Sequence, residues 1–294
     1  MEISNTKKAL IATIGFCLFN SLQIVLQQLF VKSSIHPLHL LFLSNLSSFI
    51  LFSIYLGFFG KKHLSFKINL GHGLFWWILL SALLWTSADL STIFGLTISS
   101  SINFSIISRL QIIPYYLFTI IFFKEYFSAN KILAAILSLI GGLILVYNPG
   151  SNLKINPGDL LFLLFAILIS LNGLSIQKIT RSISSFQLTY WLFGLSSLIL
   201  GIVVFIFLPI QKIDVPGYII LNSLISIVAF NLVSYAISAG GAVFFCLTSN
   251  LLPLFTIIFS FFILKQLPLI HQIAGGLIVI ASIFIFQKFG RKKN

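Results

Sequence analysis

The chain is built from long, uninterrupted runs of apolar residues, each about as long as a lipid bilayer is thick. Only 8% of its residues are charged, so most of its length cannot form a soluble surface. A helix needs about 20 apolar residues to cross the hydrocarbon core, and unpaired backbone groups in lipid exclude open strands. The sequence therefore predicts an all-α integral membrane protein with ten transmembrane helices, over residues 9–31, 38–59, 73–94, 101–123, 130–147, 157–177, 187–209, 217–237, 243–264 and 268–287.

The second half of the chain repeats the order of features in the first half. Residues 112–147 contain Pro114, the run Leu-Phe-Thr-Ile-Ile-Phe, a charged helix end and a pair of alanines. Residues 251–286 contain Pro253, the same apolar run, a charged helix end and a pair of glycines. We therefore predict two five-helix repeats, over residues 1–150 and 151–294. An odd number of spans inverts the second copy, which is the plan of many transporters with a midplane site.

Lysine and arginine are distributed unevenly between the two sides of the predicted membrane. With the N-terminus in the cytoplasm, every Lys and Arg outside the spans is cytoplasmic except Lys32, Lys154, Lys212 and Lys265. This bias obeys the positive-inside rule and predicts cytoplasmic termini, in a cell (inner) membrane. The net charge of +13 is then an orientation signal that contacts anionic lipid headgroups, and nucleic acid is not an expected partner.

Asp89 and Arg109 are the only acidic and the only basic residue well inside a predicted span. Counting from a turn near residue 100 places both about 14–16 Å from that turn, at similar depth. Burying a charge in lipid is costly, so we expect Arg109 to bind an anionic group of a substrate and to pair with Asp89 when empty. Three alternatives remain: Asp89 accepts a coupling proton, the pair is structural and sets helix register, or a span boundary is misplaced.

Uncharged polar residues supply further candidates for a binding site. Asn20, Gln23 and Gln27 are spaced to share one face of the first span. Such a stripe either faces a ligand or forms hydrogen bonds between helices. The other candidate wall residues are Trp85, on the same side of its helix as Asp89, and Tyr115, Asn231 and Asn250.

Residues for metal or covalent chemistry are sparse. Cys17 and Cys246 fall in different halves without a partner spacing and are expected to pack as small apolar residues. His36 and His39 are two imidazoles without a third ligand, which is a poor metal site. We therefore expect no metal, no cofactor and no enzymatic activity.

Prolines and small residues suggest how some spans pack. Pro114 and Pro253 each lie inside a span, where proline frees a backbone carbonyl and permits a kink. Small residues about two turns apart in spans 130–147 and 268–287 predict a close-packing face. That face could meet a neighbouring helix or the partner in a homodimer.

The ends of the two halves carry a resemblance to a known family. The matching segments run from Lys124-Glu125 to Val146 and from Lys265-Gln266 to Phe286, and the first span from Asn20 to Lys32 is also similar. The chain resembles EamA-type members of the drug/metabolite transporter superfamily. The resemblance implies ten helices in two repeats and secondary transport. The chain departs from the family pattern at Gln266, where an acidic residue is usual, and at Arg109, where common members are neutral.

These features together predict a secondary carrier. We expect it to move a small polar metabolite, amino-acid-like or otherwise anionic or zwitterionic, by alternating access through a cavity between spans 1–4 and 6–9. Transport would be coupled to a proton or to an exchanged metabolite. One alternative is an antiporter of nucleotide sugars or phosphorylated metabolites, which would require more basic residues in the cavity. The other is a lipid-headgroup flippase, which would require a lateral opening between spans.

Overall fold

The computed structural model describes residues 3–30, 36–59, 72–99, 104, 107–124, 128–147, 156–209, 216–265 and 270–289. Within these residues every regular element is a helix, as predicted. Two short 3-10 turns, Ser108–Gln111 and Ser249–Leu251, interrupt the α-helices. The α-helices are α1 (Ile3–Phe30), α2 (Pro37–Phe59), α3 (His72–Ile98), α4 (Ile112–Phe123), α5 (Ala129–Val146), α6 (Gly158–Ile179), α7 (Ser185–Phe207), α8 (Pro216–Gly240), α9 (Ala242–Thr248), α10 (Leu252–Leu264) and α11 (Ile270–Phe289).

Several helices in the described part of the chain match the thickness of a bilayer. Their outer faces carry large apolar side chains, such as Phe58 and Phe207, which are 80% and 73% exposed. This is an integral, multi-pass membrane protein. Six helical stretches are long and apolar enough to cross: Leu38–Phe58, Gly73–Gly95, Gly158–Ile179, Ser185–Phe207, Gly217–Gly240 and Ala242–Ile263. Three apolar helices are shorter than a full span: Ser108–Phe123, Ala129–Ile144 and Ile273–Phe286.

The two proline-containing spans are irregular at equivalent places. The 3-10 turn Ser108–Gln111 precedes Pro114, and the turn Ser249–Leu251 divides the predicted span 243–264 into α9 and α10 just before Pro253. A proline has no N–H to bond the carbonyl four residues earlier, so the helix must adjust there. In the second copy that carbonyl belongs to Ser249, and the Cys17 thiol lies 3.9 Å from it. The irregularity predicted from the prolines is therefore present in both spans.

The largest helix–helix contacts join the first half of the chain to the second half. Helix α1 packs along α8, and α3 packs along α6. In the same way α1 contacts α10, while α6 contacts α4. The remaining large contacts, α5 with α11 and α2 with α7, join helices at corresponding places in the two halves. The core of the bundle is consequently the interface between the halves.

Both proline-containing spans also end alike. Lys124 directly follows the last residue of α4 and Lys265 the last residue of α10, with φ angles of 52° and 58°. These are the only residues other than glycine with a positive φ in the described ranges. A left-handed residue commonly terminates an α-helix, although glycine is the usual choice.

The small-residue face predicted on the fifth span lies against another helix of the same chain. A Cβ atom at Gly141 would sit 2.9 Å from the Gly275 carbonyl oxygen and 2.9 Å from the Val279 backbone nitrogen. The backbones of α5 and α11 therefore approach too closely for any larger residue at this position. Of the two predicted uses, contact with a neighbouring helix is the one present here.

Candidate functional site

Arg109 extends between the two irregular turns near the centre of the bundle. Its Nη1 donates to Asn250 Oδ1 at 3.4 Å, and its Nη2 donates to Ser108 Oγ at 3.4 Å. Its Nε is buried and has no hydrogen-bond partner. Both partners are neutral, and both contacts are long for a hydrogen bond. Among the residues that the structure describes, the guanidinium therefore meets no counter-charge, and its Nε–H donor is unused.

The predicted ion pair between Asp89 and Arg109 is wrong. Within the described residues, the Asp89 carboxylate makes neither an ion pair nor a hydrogen bond. Arg109 lies in a 3-10 turn and points toward the break between α9 and α10, whereas Asp89 lies on α3. Similar depth along two helices did not imply contact, because the direction of each side chain depends on the local winding of its helix.

Helix α5 forms the surface on which Arg109 lies. A Cβ atom at Gly142 would be 3.4 Å from Arg109 Cδ and 3.6 Å from Asn250 Cγ, so both side chains lie directly over this glycine. One turn earlier, Ser138 Oγ accepts a hydrogen bond from Asn250 Nδ2 at 2.7 Å. The polar cluster thus combines both irregular turns with one face of α5.

Asp89 is held by a different part of the bundle. On one side of it, Ser81 of α3 donates to Asn172 of α6 at 2.6 Å. On the other side, Thr86 of α3 donates to Ser196 of α7 at 3.1 Å. With about 3.6 residues per helical turn, Asp89 projects between these two directions, toward the middle of the bundle. Asp89 as a whole residue is half-buried there.

Trp85 lies one turn before Asp89 and takes part in an aromatic cluster. Its ring meets the Phe230 ring edge-on, with centroids 4.6 Å apart. Phe193 packs against Phe230 with centroids 5.8 Å apart. These three rings come from α3, α7 and α8 and fill the space between those helices. Trp85 was a predicted wall residue, whereas its two aromatic neighbours were not singled out in the sequence.

The amide stripe of α1 divides into residues with different roles. Gln23 Nε2 donates to Asn222 Oδ1 at 2.8 Å and to Ser226 Oγ at 3.0 Å. At Gln23 the stripe therefore forms hydrogen bonds between helices. Asn20 is half-buried and makes no hydrogen bond within the described residues. The side chain of Gln27 lies outside the described part of the chain.

The structure does not bring the remaining candidate binding-site residues together. Tyr115 is 2% exposed, and its hydroxyl donates to the Ile169 carbonyl of α6 at 3.0 Å, which makes it a packing residue between α4 and α6. Asn231 of α8 carries a buried Nδ2 without a partner. Only Asn250 joins the cluster around Arg109. Within the described residues, no group of three or more His, Cys, Asp or Glu could hold a metal ion.

A separate groove lies between α2 and α7, on the outside of the bundle. Its volume is about 800 Å³, and its floor includes Gly194 and Gly201, against which Phe49 and Phe42 pack. Its rim includes Phe205, which is 68% exposed. The groove is lined almost entirely by apolar side chains and does not include Arg109 or Asp89.

Comparisons with known proteins agree with this architecture. A sequence model of the EamA-like transporter family matches residues 7–147 and, a second time, residues 156–287. The chain belongs to the EamA-like transporter family, and it is therefore a membrane transporter of the drug/metabolite transporter type. One crystal structure of a protein covers 97% of this chain and 96% of its own length, with a TM-score of 0.74 and 12% identity, a likeness of fold alone. No curated protein matches the chain.

Proposed function

We propose that this transporter moves a small polar metabolite with an anionic group, and that Arg109 binds that group. The proposal rests on the burial and the hydrogen bonding of the Arg109 guanidinium. The Arg109 side chain is half-buried, its described partners are the neutral Asn250 and Ser108, and its Nε is buried without a partner. An arginine inside a membrane protein normally faces a counter-charge or a substrate path. Here the substrate would supply the missing anion.

The free edge of Arg109 defines the chemistry of the group it would bind. Asn250 accepts from Nη1 and Ser108 accepts from Nη2, so the Nε–H and the second hydrogen of Nη2 remain for a ligand. Two parallel N–H donors match the two oxygens of a carboxylate or phosphate. Nε is covered by protein in this conformation. An anion would therefore reach this edge only after spans move, as alternating access requires.

Asp89 supports an amino-acid-like substrate. Its carboxylate also lacks an ionic partner within the described residues, and Trp85 lies one turn before it on the same face of α3. A carboxylate next to an aromatic face suits an ammonium group. Because Asp89 and Arg109 point to different parts of the bundle here, a zwitterion would use both charges at once only after spans move. If the substrate is a simple anion, Asp89 instead carries the coupling proton, or an exchanged metabolite drives transport.

The membrane setting follows from the charge distribution. We infer that both termini are cytoplasmic, that the protein resides in the cell (inner) membrane and that its partners are the bilayer, the substrate and a coupling proton or counter-substrate. A homodimer would need a surface other than the small-residue face, since α11 already covers that face at Gly141.

The two alternatives fit the site less well. A nucleotide sugar or phosphorylated metabolite would call for several cations, and Arg109 is the one cation that the sequence places well inside a span. A lipid-headgroup flippase would need a polar path from the bilayer to Arg109. The groove between α2 and α7 opens to the bilayer but is apolar along its length, so it supports no such path.

The proposal is tested by a thermal-shift screen of the purified protein against carboxylates, amino acids, phosphate esters and neutral amides. Arg109→Gln and Asp89→Asn are compared with wild type. Arg181→Gln is the matched control, because Arg181 is exposed and its guanidinium lies over the Phe123 ring, 5.4 Å from the centroid. We expect an anionic compound to stabilise wild type and Arg181→Gln but not Arg109→Gln.

The response of Asp89→Asn identifies the substrate class. Loss of stabilisation by an amino acid, with retention of stabilisation by a simple carboxylate, would favour the zwitterion. If Arg109→Gln responds to every ligand as wild type does, Arg109 is not the anion-binding residue. If no anionic compound stabilises the wild-type protein, the anionic substrate itself must be abandoned.

A further inference from the structure

Ser138 of α5 is hydrogen-bonded to the end of α9 and to the 3-10 turn that separates α9 from α10, although no sequence pattern marks it. It is fully buried. Its hydroxyl donates to the Leu247 carbonyl oxygen at 3.1 Å. The same hydroxyl accepts from Asn250 Nδ2 at 2.7 Å, and this Nδ2 also lies 3.4 Å from the Ser138 carbonyl oxygen.

The direction of these hydrogen bonds fixes the orientation of the Asn250 amide. A serine hydroxyl has one hydrogen, and here it is used on the Leu247 carbonyl, so only lone pairs face Asn250. The Ser138 carbonyl can only accept. Both contacts therefore require the NH₂ group of Asn250 on the α5 side. Its Oδ1 is consequently directed at Arg109 Nη1, 3.4 Å away.

The opposite orientation would be unfavourable. A flipped amide would direct its two N–H donors toward the guanidinium, which has donors only. It would also leave donors without acceptors inside the bundle, at the cost of a buried unsatisfied group. The serine on α5 thus decides whether Asn250 attracts or repels Arg109.

We propose that Ser138 is a positioning residue of the transport site, acting on Arg109 through Asn250. By holding Nη1 on the Asn250 oxygen, it leaves the Nε–H, and the Nη2 hydrogen that Ser108 does not accept, for the anion of the substrate. The inference rests on the proposed function for the importance of that edge. Gly142 leaves the space in which the arrangement forms, since a Cβ there would just touch Arg109 and Asn250.

The test uses phenylglyoxal, an arginine-selective dicarbonyl, and needs no substrate. Modification rates at Arg109 and Arg181 are measured by peptide mass spectrometry on the purified full chain. We expect Ser138→Ala to raise the rate at Arg109 relative to Arg181 about fivefold, the factor that the loss of one hydrogen bond implies. Asn250→Ala should have the same effect, and the double variant should add little, because the two residues act in one chain of contacts.

Two conservative variants of Ser138 distinguish the loss of its positioning hydrogen bonds from a general loosening of the bundle. Ser138→Thr keeps the hydroxyl and should retain the wild-type rate at Arg109. Ser138→Cys keeps the size but is a weak acceptor, so it should behave like Ser138→Ala and replaces it if the alanine variant does not fold. Gly57→Ala in α2 adds a methyl group that meets nothing within 4 Å and should leave both rates unchanged.

The proposal is overturned if Asn250→Ala raises the Arg109 rate while Ser138→Ala and Ser138→Cys leave it unchanged. It is equally overturned if the Ser138 variants raise the rates at Arg109 and Arg181 together, since the bundle as a whole would then have loosened. The two proposals can fail separately. If the modification rates behave as expected but no anion depends on Arg109 in the ligand screen, the positioning stands and the proposed function does not.

Discussion

At the scale of single residues, the molecule is defined by two charges kept apart inside the membrane. Arg109 and Asp89 could have neutralised each other, but their side chains point to different parts of the bundle. Each charge is then available to another group, at the cost of stability that an ion pair or an apolar residue would have supplied. The arrangement is reasonable if a substrate or proton occupies these positions during the transport cycle.

A conservative change at Arg109 tests whether geometry matters beyond charge. Lysine keeps the positive charge but lacks the planar fork needed for two parallel hydrogen bonds. We expect Arg109→Lys to fold and to bind an anionic ligand from the screen about tenfold more weakly, from the loss of one charge-assisted hydrogen bond. Isothermal titration would measure the affinity. An unchanged affinity would show that the guanidinium acts only as a point charge.

At the scale of helices, close approach between backbones determines which spans can pair. Helices α5 and α11 meet where Gly141 lies against Gly275 and Val279. Without a hydrophobic driving force in lipid, such contacts depend on van der Waals packing, and small residues permit it. Helix α5 also carries Ser138 and Gly142, which contact Asn250 and Arg109. A shift of α5 against α11 would therefore change the position of Arg109.

An alanine at Gly141 should therefore loosen this helix pair. Its Cβ would lie 2.9 Å from the Gly275 carbonyl oxygen, and relief of that clash should cost about 1–3 kcal/mol. The matched control is Gly57→Ala in α2, where a Cβ meets nothing within 4 Å and a gain of up to about 1 kcal/mol is expected. Thermal unfolding in detergent would compare them. Equal midpoints for the two variants would contradict the close packing.

At the scale of the whole molecule, one end of the bundle is held together by a polar seam. The seam joins α1, α2 and α8: Gln23 bonds Asn222, Asn222 Nδ2 donates to Ser44 Oγ at 3.1 Å, and Ser223 Oγ donates to the Ser44 carbonyl oxygen at 3.0 Å. By the predicted orientation this is the outer end. Transport by alternating access would require the seam to open.

A reversible cross-link tests that requirement. Cysteines at Ser44 and Ser223, in a chain with Cys17→Ala and Cys246→Ala, are close enough to be considered for a disulfide bond. We expect oxidation to stop substrate uptake into proteoliposomes and a reductant to restore it. Each single-cysteine chain should be insensitive to oxidation. Continued transport by a fully cross-linked protein would show that the seam stays closed throughout the cycle.

Much of the architecture is determined by the sequence alone, because it depends on local properties. The length and apolarity of the runs predict helices and a membrane, and Pro114 and Pro253 predict irregular helices at two places. The small residues of spans 130–147 and 268–287 predict a close contact. Each of these follows from the requirement that backbone groups in lipid be paired and from the steric properties of proline and glycine.

The composition of the site was decided by the tertiary structure. The sequence marked Asp89 and Arg109 as unusual, but only the winding of residues 108–111 determines that Arg109 meets Asn250. Likewise, Gln23 forms part of the seam and Tyr115 packs between helices, although both were plausible cavity residues. The sequence does not single out Ser138, because the role of a serine depends on the groups with which it forms hydrogen bonds. A sequence shows which charged residues fall inside a span. The direction of each side chain, and the groups around it, depend on helices that are distant in sequence.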